Sequence, residues 1–168
     1  MTTVRAKVSV DWRGTLHVLR GRLVGPTKKA KIAVGIFAGA RRNVGNGESG
    51  QGEPIAPYAA AQEFGTKHIP PRPFLRNTVA TCKGKWLVAI AGIAQRRGTS
   101  DLKTILNDIG DPMVRDVQHT INQSVGIAPL SPKTVAAKER KGRPKPAHPL
   151  IDTEQLVHAI GFQVRDYE

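Results

Sequence analysis

The chain has 168 residues, enough for one domain with a hydrophobic core and too few for two of ordinary size. It carries 26 Lys and Arg against 13 Asp and Glu, a formal charge of +13, which favours nucleic acid, an anionic membrane or an acidic protein surface as partner. Cys82 is the only cysteine, so an internal disulfide and a cysteine-rich metal site are excluded.

The first 56 residues predict two strands, a short helix and a long loop. From Val4 to Trp12 apolar and polar side chains alternate, which is typical of a half-buried strand. A leucine stripe predicts an amphipathic helix over about 14–24, and the apolar run at 31–39 predicts a second strand. Residues 40–56 are glycine-rich without periodicity, which indicates mobility or a binding role. The N-terminus is unlike a signal peptide and no apolar run reaches membrane-span length, so we expect a soluble protein made in the cytoplasm.

The middle of the chain predicts two helices separated by a rigid connection. Pro57 suits the first turn of a helix that continues to Phe64, and Gly65 falls where a left-handed cap would end it. Residues 69–73, Ile-Pro-Pro-Arg-Pro, must be extended, because proline fixes its own φ and pushes the preceding residue out of the α region. A helix then restarts over about 74–97, where apolar side chains recur at steps of three and four: Leu75, Val79, Cys82, Trp86, Ile90 and Ile93.

Two more helices are predicted next. An apolar stripe from Leu102 to Ile121 indicates a helix, with a kink or break expected at Gly110-Asp111-Pro112. Ser131 before Pro132 has the order of an N-cap and a first helical residue, which predicts a short helix to about Lys138.

The chain is predicted to close with a loop, a short helix and a strand. Residues 139–149 are basic and proline-rich, and Asp152 with Gln155 has the spacing of a capping box. The segment IGFQVRD, 160–166, predicts the last strand. The order of elements predicts one α+β domain over 1–168, with a small, mainly antiparallel sheet, a long helix, several shorter helices packed on it, and flexible glycine-rich and basic loops.

Patterns for catalysis or cofactor binding are weak. Residues 45–50, GNGESG, match the G-x-G-x-x-G fingerprint of dinucleotide sites, but prolines follow where the helix of that motif would begin. The five histidines stand at no metal-ligand spacing, and Cys82 lies on the apolar stripe of the predicted long helix. Glu63 is interpreted as a helix-end residue that pairs with Lys67 or Arg72. We therefore expect no enzyme, no metal and no cofactor.

Basic residues occur in blocks nearly free of acid. Eight lie between Arg13 and Arg42 and seven between Lys67 and Arg97, with no Asp or Glu in either block. Phosphate contacts would use such blocks, so a monomeric nucleic-acid-binding module is one hypothesis. Yet aromatic residues for base stacking and known DNA- or RNA-binding signatures are missing, and complementarity to an acidic protein surface is the alternative use.

Two blocks of the sequence, the second in two parts, resemble one protein family. Residues 58–79, YAAAQEFGTKHIPPRPFLRNTV, hold a helix ending in E-F-G, then I-P-x-R-P-F-L-R, then a long helix. Residues 129–138, PLSPKTVAAK, and 149–160, PLIDTEQLVHAI, are similar to the P-L-S-x-x-T and L-I-D-T-G-x-L segments of the same family. In this order they resemble the tail-completion and head–tail joining (neck) proteins of long-tailed bacteriophages, which include tail terminators and Mu-like virion-morphogenesis proteins. The family usually has glycine where this chain has Glu154.

The resemblance, over roughly residues 31–166, implies an α+β structural protein without catalytic activity. It implies a ring, commonly sixfold, at the neck or end of a phage tail, with DNA in transit through the lumen. The implied partners are other copies of the chain, tail tube and sheath proteins, and head–tail connector or adaptor proteins, with no membrane. The implied location is the virion, after assembly in the host cytoplasm.

Candidate functional residues fall into two sets. A closed ring needs subunit contacts at a fixed angle, and a proline-rich connection between helices is suited to hold such an angle. The expected interface or connection residues are Phe64, Ile69, Pro71, Arg72 and Phe74. The loops at 40–56 and 139–149 are expected to order on binding. The loop residues expected to contact acidic neighbours or passing DNA are Arg41, Arg42, Arg140, Lys141, Arg143 and Lys145.

Overall fold

A computed structural model describes residues 30–41, 52–98 and 101–166. These ranges contain two strands and five helices: β1 Ala30–Ile36, α1 Ile55–Phe64, α2 Phe74–Arg97, α3 Leu102–Gln123, α4 Pro132–Arg140, α5 Gln155–His158 and β2 Ile160–Asp166. The predicted α+β class with one long helix is confirmed. The strand predicted at 4–12, the helix predicted at 14–24 and the motif at 45–50 lie outside the described residues.

The sheet pairs the first and last described elements of the chain. β1 and β2 are antiparallel, with Ala30 opposite Asp166 and Ile36 opposite Ile160. Val34, Ile36 and Ile160 are buried, so the sheet turns one face to the core. Pairing of two strands so far apart in sequence brings β1 and β2 to the same side of α3.

α3 forms the middle layer, because it packs against both strands and against α2. Its buried side chains follow the predicted stripe: Ile105, Leu106, Ile109, Met113, Val117 and Ile121. α2 faces it with Trp86, Ile90 and Ile93. The buried hydroxyls of Thr78 and Thr120 lie 2.7 Å apart across this contact, so its polar groups are paired as well.

A kink or break was predicted at Gly110-Asp111-Pro112, and the break is wrong. The helix runs through Pro112, although proline removes one backbone hydrogen bond and costs about 3 kcal/mol in a helix interior. Ile109 and Met113, each 2% exposed, bury apolar surface on both sides of it and outweigh that local cost. Gly110 has a packing role instead of ending a helix, since a Cβ there would lie 2.3 Å from the ring of Phe162 on β2.

The starts of α4 and α5 differ in how well they were predicted. Ser131 caps α4 as expected, with its Oγ accepting from the backbone N–H of Thr134 at 3.2 Å. The capping box predicted for α5 is wrong, because Asp152 forms an ion pair with Arg143 at 3.3 Å instead of capping. The residue before α5 is Glu154, which has φ +58° and no side-chain capping bond.

Candidate functional site

Residues 63–76, here called the connector, join α1 to α2 through a turn and an extended stretch. Gly65 ends α1 at φ +77° and ψ 175°, a conformation that is nearly restricted to glycine. A Cβ on Gly65 would also lie 2.9 Å from the carbonyl oxygen of Ile69 and from the nitrogen of Pro71. Thr66 closes the turn, since its N–H donates to the Ile69 oxygen at 2.9 Å. The predicted cap position is confirmed, with an extended ψ in place of the left-handed one.

Glu63 anchors the beginning of α2. Its carboxylate is 1% exposed and accepts from the backbone N–H groups of Leu75, at 2.9 Å, and Arg76, at 3.1 Å. The Arg76 guanidinium returns the contact, with Nε 3.0 Å from the carboxylate and Nη2 2.6 Å from the Glu63 carbonyl oxygen. The expected partners, Lys67 and Arg72, were therefore wrong. A carboxylate is favourable here because helix N-termini carry unpaired N–H donors and partial positive charge.

Arg72 ties the connector to a segment more than fifty positions further along the chain. It is 6% exposed, and its guanidinium donates to Gln62 Oε1 at 2.9 Å and to the Ala128 carbonyl at 3.0 Å. A longer contact of 3.4 Å reaches the Pro129 carbonyl. Its backbone N–H donates to the Gln62 carbonyl at 2.6 Å. The guanidinium thus bridges the end of α1 to the beginning of the PLSPK segment.

The connector and the C-terminal segments enclose a cleft of about 700 Å³, here called the connector cleft. One wall comes from α1 and the connector, and the other comes from residues 129–138 and 149–156. Both segments that carry the family resemblance therefore line the same cavity. Much of its lining is apolar: Ile55, Ile69, Pro70, Pro129, Leu130, Leu150 and Leu156.

Two buried cations line the connector cleft. Lys138 is 9% exposed, and its ammonium donates to the carbonyl oxygens of His148, at 2.8 Å, and Ile151. Burial is the main cause that lowers the pKa of Lys138; Asp152 opposes it and Arg143 and Arg72 reinforce it. Arg72 is the second cation. Among the described residues, neither side chain forms an ion pair with a carboxylate, which is unusual for buried cations.

The first set of predicted site residues divides between surface and core. Phe74 is fully buried and Arg72 nearly so, and both hold the connector in place. Pro71 is exposed, Ile69 is half-buried in the connector cleft, and Phe64 is 57% exposed. The Arg76 guanidinium lies 5.1 Å from the centre of the Phe64 ring, which holds that ring on the surface.

The predicted basic contacts are dispersed. Arg140 and Lys141 are exposed at the end of α4, and Arg143 and Lys145 pair with acidic residues at 3.3 and 3.9 Å. Arg41 is exposed and donates to the Gly52 carbonyl at 3.2 Å, which closes the ends of the glycine-rich loop on each other. Arg42 lies outside the described residues.

Lys138 was missed as a candidate because its sequence position suggests an exposed helix end. One signal was present: it stands four residues after Thr134 and seven after Ser131, on the face of α4 that lines the connector cleft. Within the described ranges there is no cluster of His, Cys, Asp and Glu suited to a metal ion. None of the described helices is long and apolar enough to cross a membrane.

Comparison with known proteins gives no assignment. No protein-family model, no curated protein and no solved structure matches the chain. The similarity to phage tail-completion and neck proteins therefore depends on the motif residues alone.

Proposed function

We propose that this chain is a structural virion protein that forms a ring at the neck or tail end of a long-tailed bacteriophage. Its neighbours in the particle would be other copies of itself, tail tube or sheath proteins, and head–tail connector proteins, with DNA passing through the ring. The observation that carries the proposal is the connector cleft, where two motif segments separated by about fifty residues meet.

The rigidity of the connector supports a ring. Identical subunits that close around an axis need the same head-to-tail contact at a fixed angle in every copy. The four N–H groups at the beginning of α2, those of residues 74–77, all find acceptors: Arg72, Glu63 twice and Pro73. Because these four N–H groups are all paired and three prolines restrict the backbone of the connector, several independent constraints fix the angle between α1 and α2.

The departure at Glu154 also supports the resemblance. The family usually has glycine at this position, and here the backbone has φ +58°, the left-handed region that glycine adopts at little cost. The local conformation thus matches what the family's glycine would permit, although the side chain does not.

Surface residues of the connector supply the subunit contact in this proposal. Phe64 and Pro71 are exposed beside a rigid backbone, so an apolar partner surface can bind them without ordering a flexible segment. The exposed Arg140 and Lys141 at the end of α4 are then available to acidic neighbours or to DNA.

Size measurement tests the proposal against the nucleic-acid-binding hypothesis. Light scattering of the purified full chain, alone and mixed with tail tube and connector proteins, should show a ring or its incorporation into a larger particle. The variant Phe64→Ser, at a 57% exposed position, should remain monomeric while keeping thermal unfolding close to that of wild type. A chain that stays monomeric in all mixtures and binds duplex DNA with steep salt dependence would support the alternative instead.

A further inference from the structure

We propose that the connector cleft binds an extended, carboxylate-bearing peptide segment of an acidic partner protein. This inference deepens the proposed function, and rests on it only for the partner being a virion protein. The bound segment would carry one Asp or Glu side chain between apolar neighbours and would lie along the cleft.

The first argument is that two buried cations lack a direct ion pair with a carboxylate among the described residues. Arg72 and Lys138 are at least nine-tenths buried and bind only carbonyl and amide oxygens among the described residues. An ammonium has three donors and a guanidinium five, so each cation keeps N–H groups beyond those used in these contacts. A ligand carboxylate would accept charge-assisted hydrogen bonds from them.

The second argument is the backbone of the cleft wall. The segment around Leu130 is outside helices and strands, and within the described part the N–H groups of Leu130 and Ser131 donate to no protein group. An extended peptide laid along this wall brings carbonyl oxygens to such donors, which is how main-chain recognition gains affinity.

The third argument favours a protein over a nucleic acid. Asp152 and Glu154 also line the connector cleft, where they would repel a continuous row of phosphates. Apolar side chains such as Ile69 and Leu156 form much of the remaining lining and suit the side chains of a peptide. A peptide can place one carboxylate at the buried cations and keep the mouth free of negative charge.

The experiment starts from the full-length chain and a displayed library of random 12-residue peptides. The expected result is enrichment of peptides with one Asp or Glu flanked by apolar residues or proline. The dissociation constant of the best peptide is then measured by fluorescence polarisation, and replacing its acidic residue by the amide should weaken binding about tenfold or more.

Variants of α4 locate the binding site. Thr134→Glu places a carboxylate one turn before Lys138 on the cleft lining and should weaken the selected peptide about tenfold, since it competes for the cations. This change should keep the fold, because the side chain of Thr134 is exposed. Lys133→Gln alters net charge equally on the exposed side of α4 and should change the dissociation constant less than twofold. Lys138→Met should abolish the preference for an acid over its amide.

Three results would overturn the inference. The first is a selection without enrichment of acidic peptides. The second is an equal loss of peptide affinity in Thr134→Glu and Lys133→Gln. The third is displacement of the peptide by a 12-nucleotide single strand whose own binding is weakened by Thr134→Glu and not by Lys133→Gln. The proposed function fails separately, in the size measurement. If the chain is monomeric but still binds acidic peptides in this pattern, the peptide-binding cleft is supported and the proposed ring is contradicted.

Discussion

The connector, 63–76, and the segment 138–149 have similar compositions, with three prolines and at least three Lys or Arg in each. They are held in different ways. In the connector, Glu63 and Arg72 are buried and bonded to backbone groups of other segments. In 138–149 only Lys138 is buried, while Arg143 and Lys145 make ion pairs near the surface.

The difference shows that similar composition does not decide how a segment is held. A charged side chain fixes the backbone when it is buried and its donors or acceptors end on another segment. Exposed pairs contribute little, because water and salt screen them. The connector is thus a structural device, whereas the surface of 138–149 is free to contact a partner.

Gly65→Ala should give the largest destabilisation. The new Cβ adds backbone strain at φ +77° and a 2.9 Å approach to two backbone atoms, together costing about 3 kcal/mol of unfolding free energy. Urea unfolding measures this. The matched control is Gly142→Ala, at φ +61° with open space around it, which should cost about 1 kcal/mol. Equal losses would remove the distinction between the two segments.

Glu63→Gln should come next. The amide keeps the shape but loses the charge and one acceptor that serve Leu75 and Arg76, so unfolding free energy should fall by about 2 kcal/mol. The control, Glu139→Gln, makes the same chemical change on an exposed side chain of the other segment. It should stay within about 0.5 kcal/mol of wild type. A Glu63 variant as stable as this control would contradict the anchoring role.

Lys138 should make stability depend on pH in a smaller but directional way. Its pKa is lowered by burial, so between that lowered value and the ordinary 10.5 the unfolded chain holds more protons than the folded one. Stability of wild type relative to Lys138→Met should therefore rise as pH increases through this window. Lys141→Met, at an exposed position, should give a flat difference over the same range. A falling difference for Lys138 would contradict its burial as a cation.

Lys145→Ala should have the smallest effect. Its ion pair with Glu154 spans 3.9 Å between half-exposed groups, so the free energy of unfolding should fall by less than about 0.5 kcal/mol. Thermal unfolding measures this, and the loss should be smaller still at high salt. A larger loss would mean that 138–149 is held as firmly as the connector.

Local patterns predicted the elements well and their long-range contacts poorly. α2 begins and ends where the apolar stripe, Pro73 and Gly98 indicate, because these signals are all within a few residues. The break predicted at Pro112 was wrong because the burial of Ile109 and Met113 depends on the sheet and on α2. The local sequence does not reveal those contacts.

Partners of buried charges were beyond sequence reasoning for the same reason. Glu63 reaches thirteen residues forward to Arg76, and Arg72 reaches 56 residues to Ala128. Asp152 had the spacing of a cap but pairs with Arg143, since a nearby cation competes with the helix N-terminus for the carboxylate. The connector was therefore predictable as a segment, and the cleft that it forms was not.

Electron cryomicroscopy of the assembled phage particle tests the central claim most directly. The account predicts density for this chain as a closed ring at the neck or tail end, with Phe64 and Pro71 of each copy against the next subunit. A particle map that contains no copy of the chain, or isolated copies along the DNA with the connector facing solvent, would contradict it.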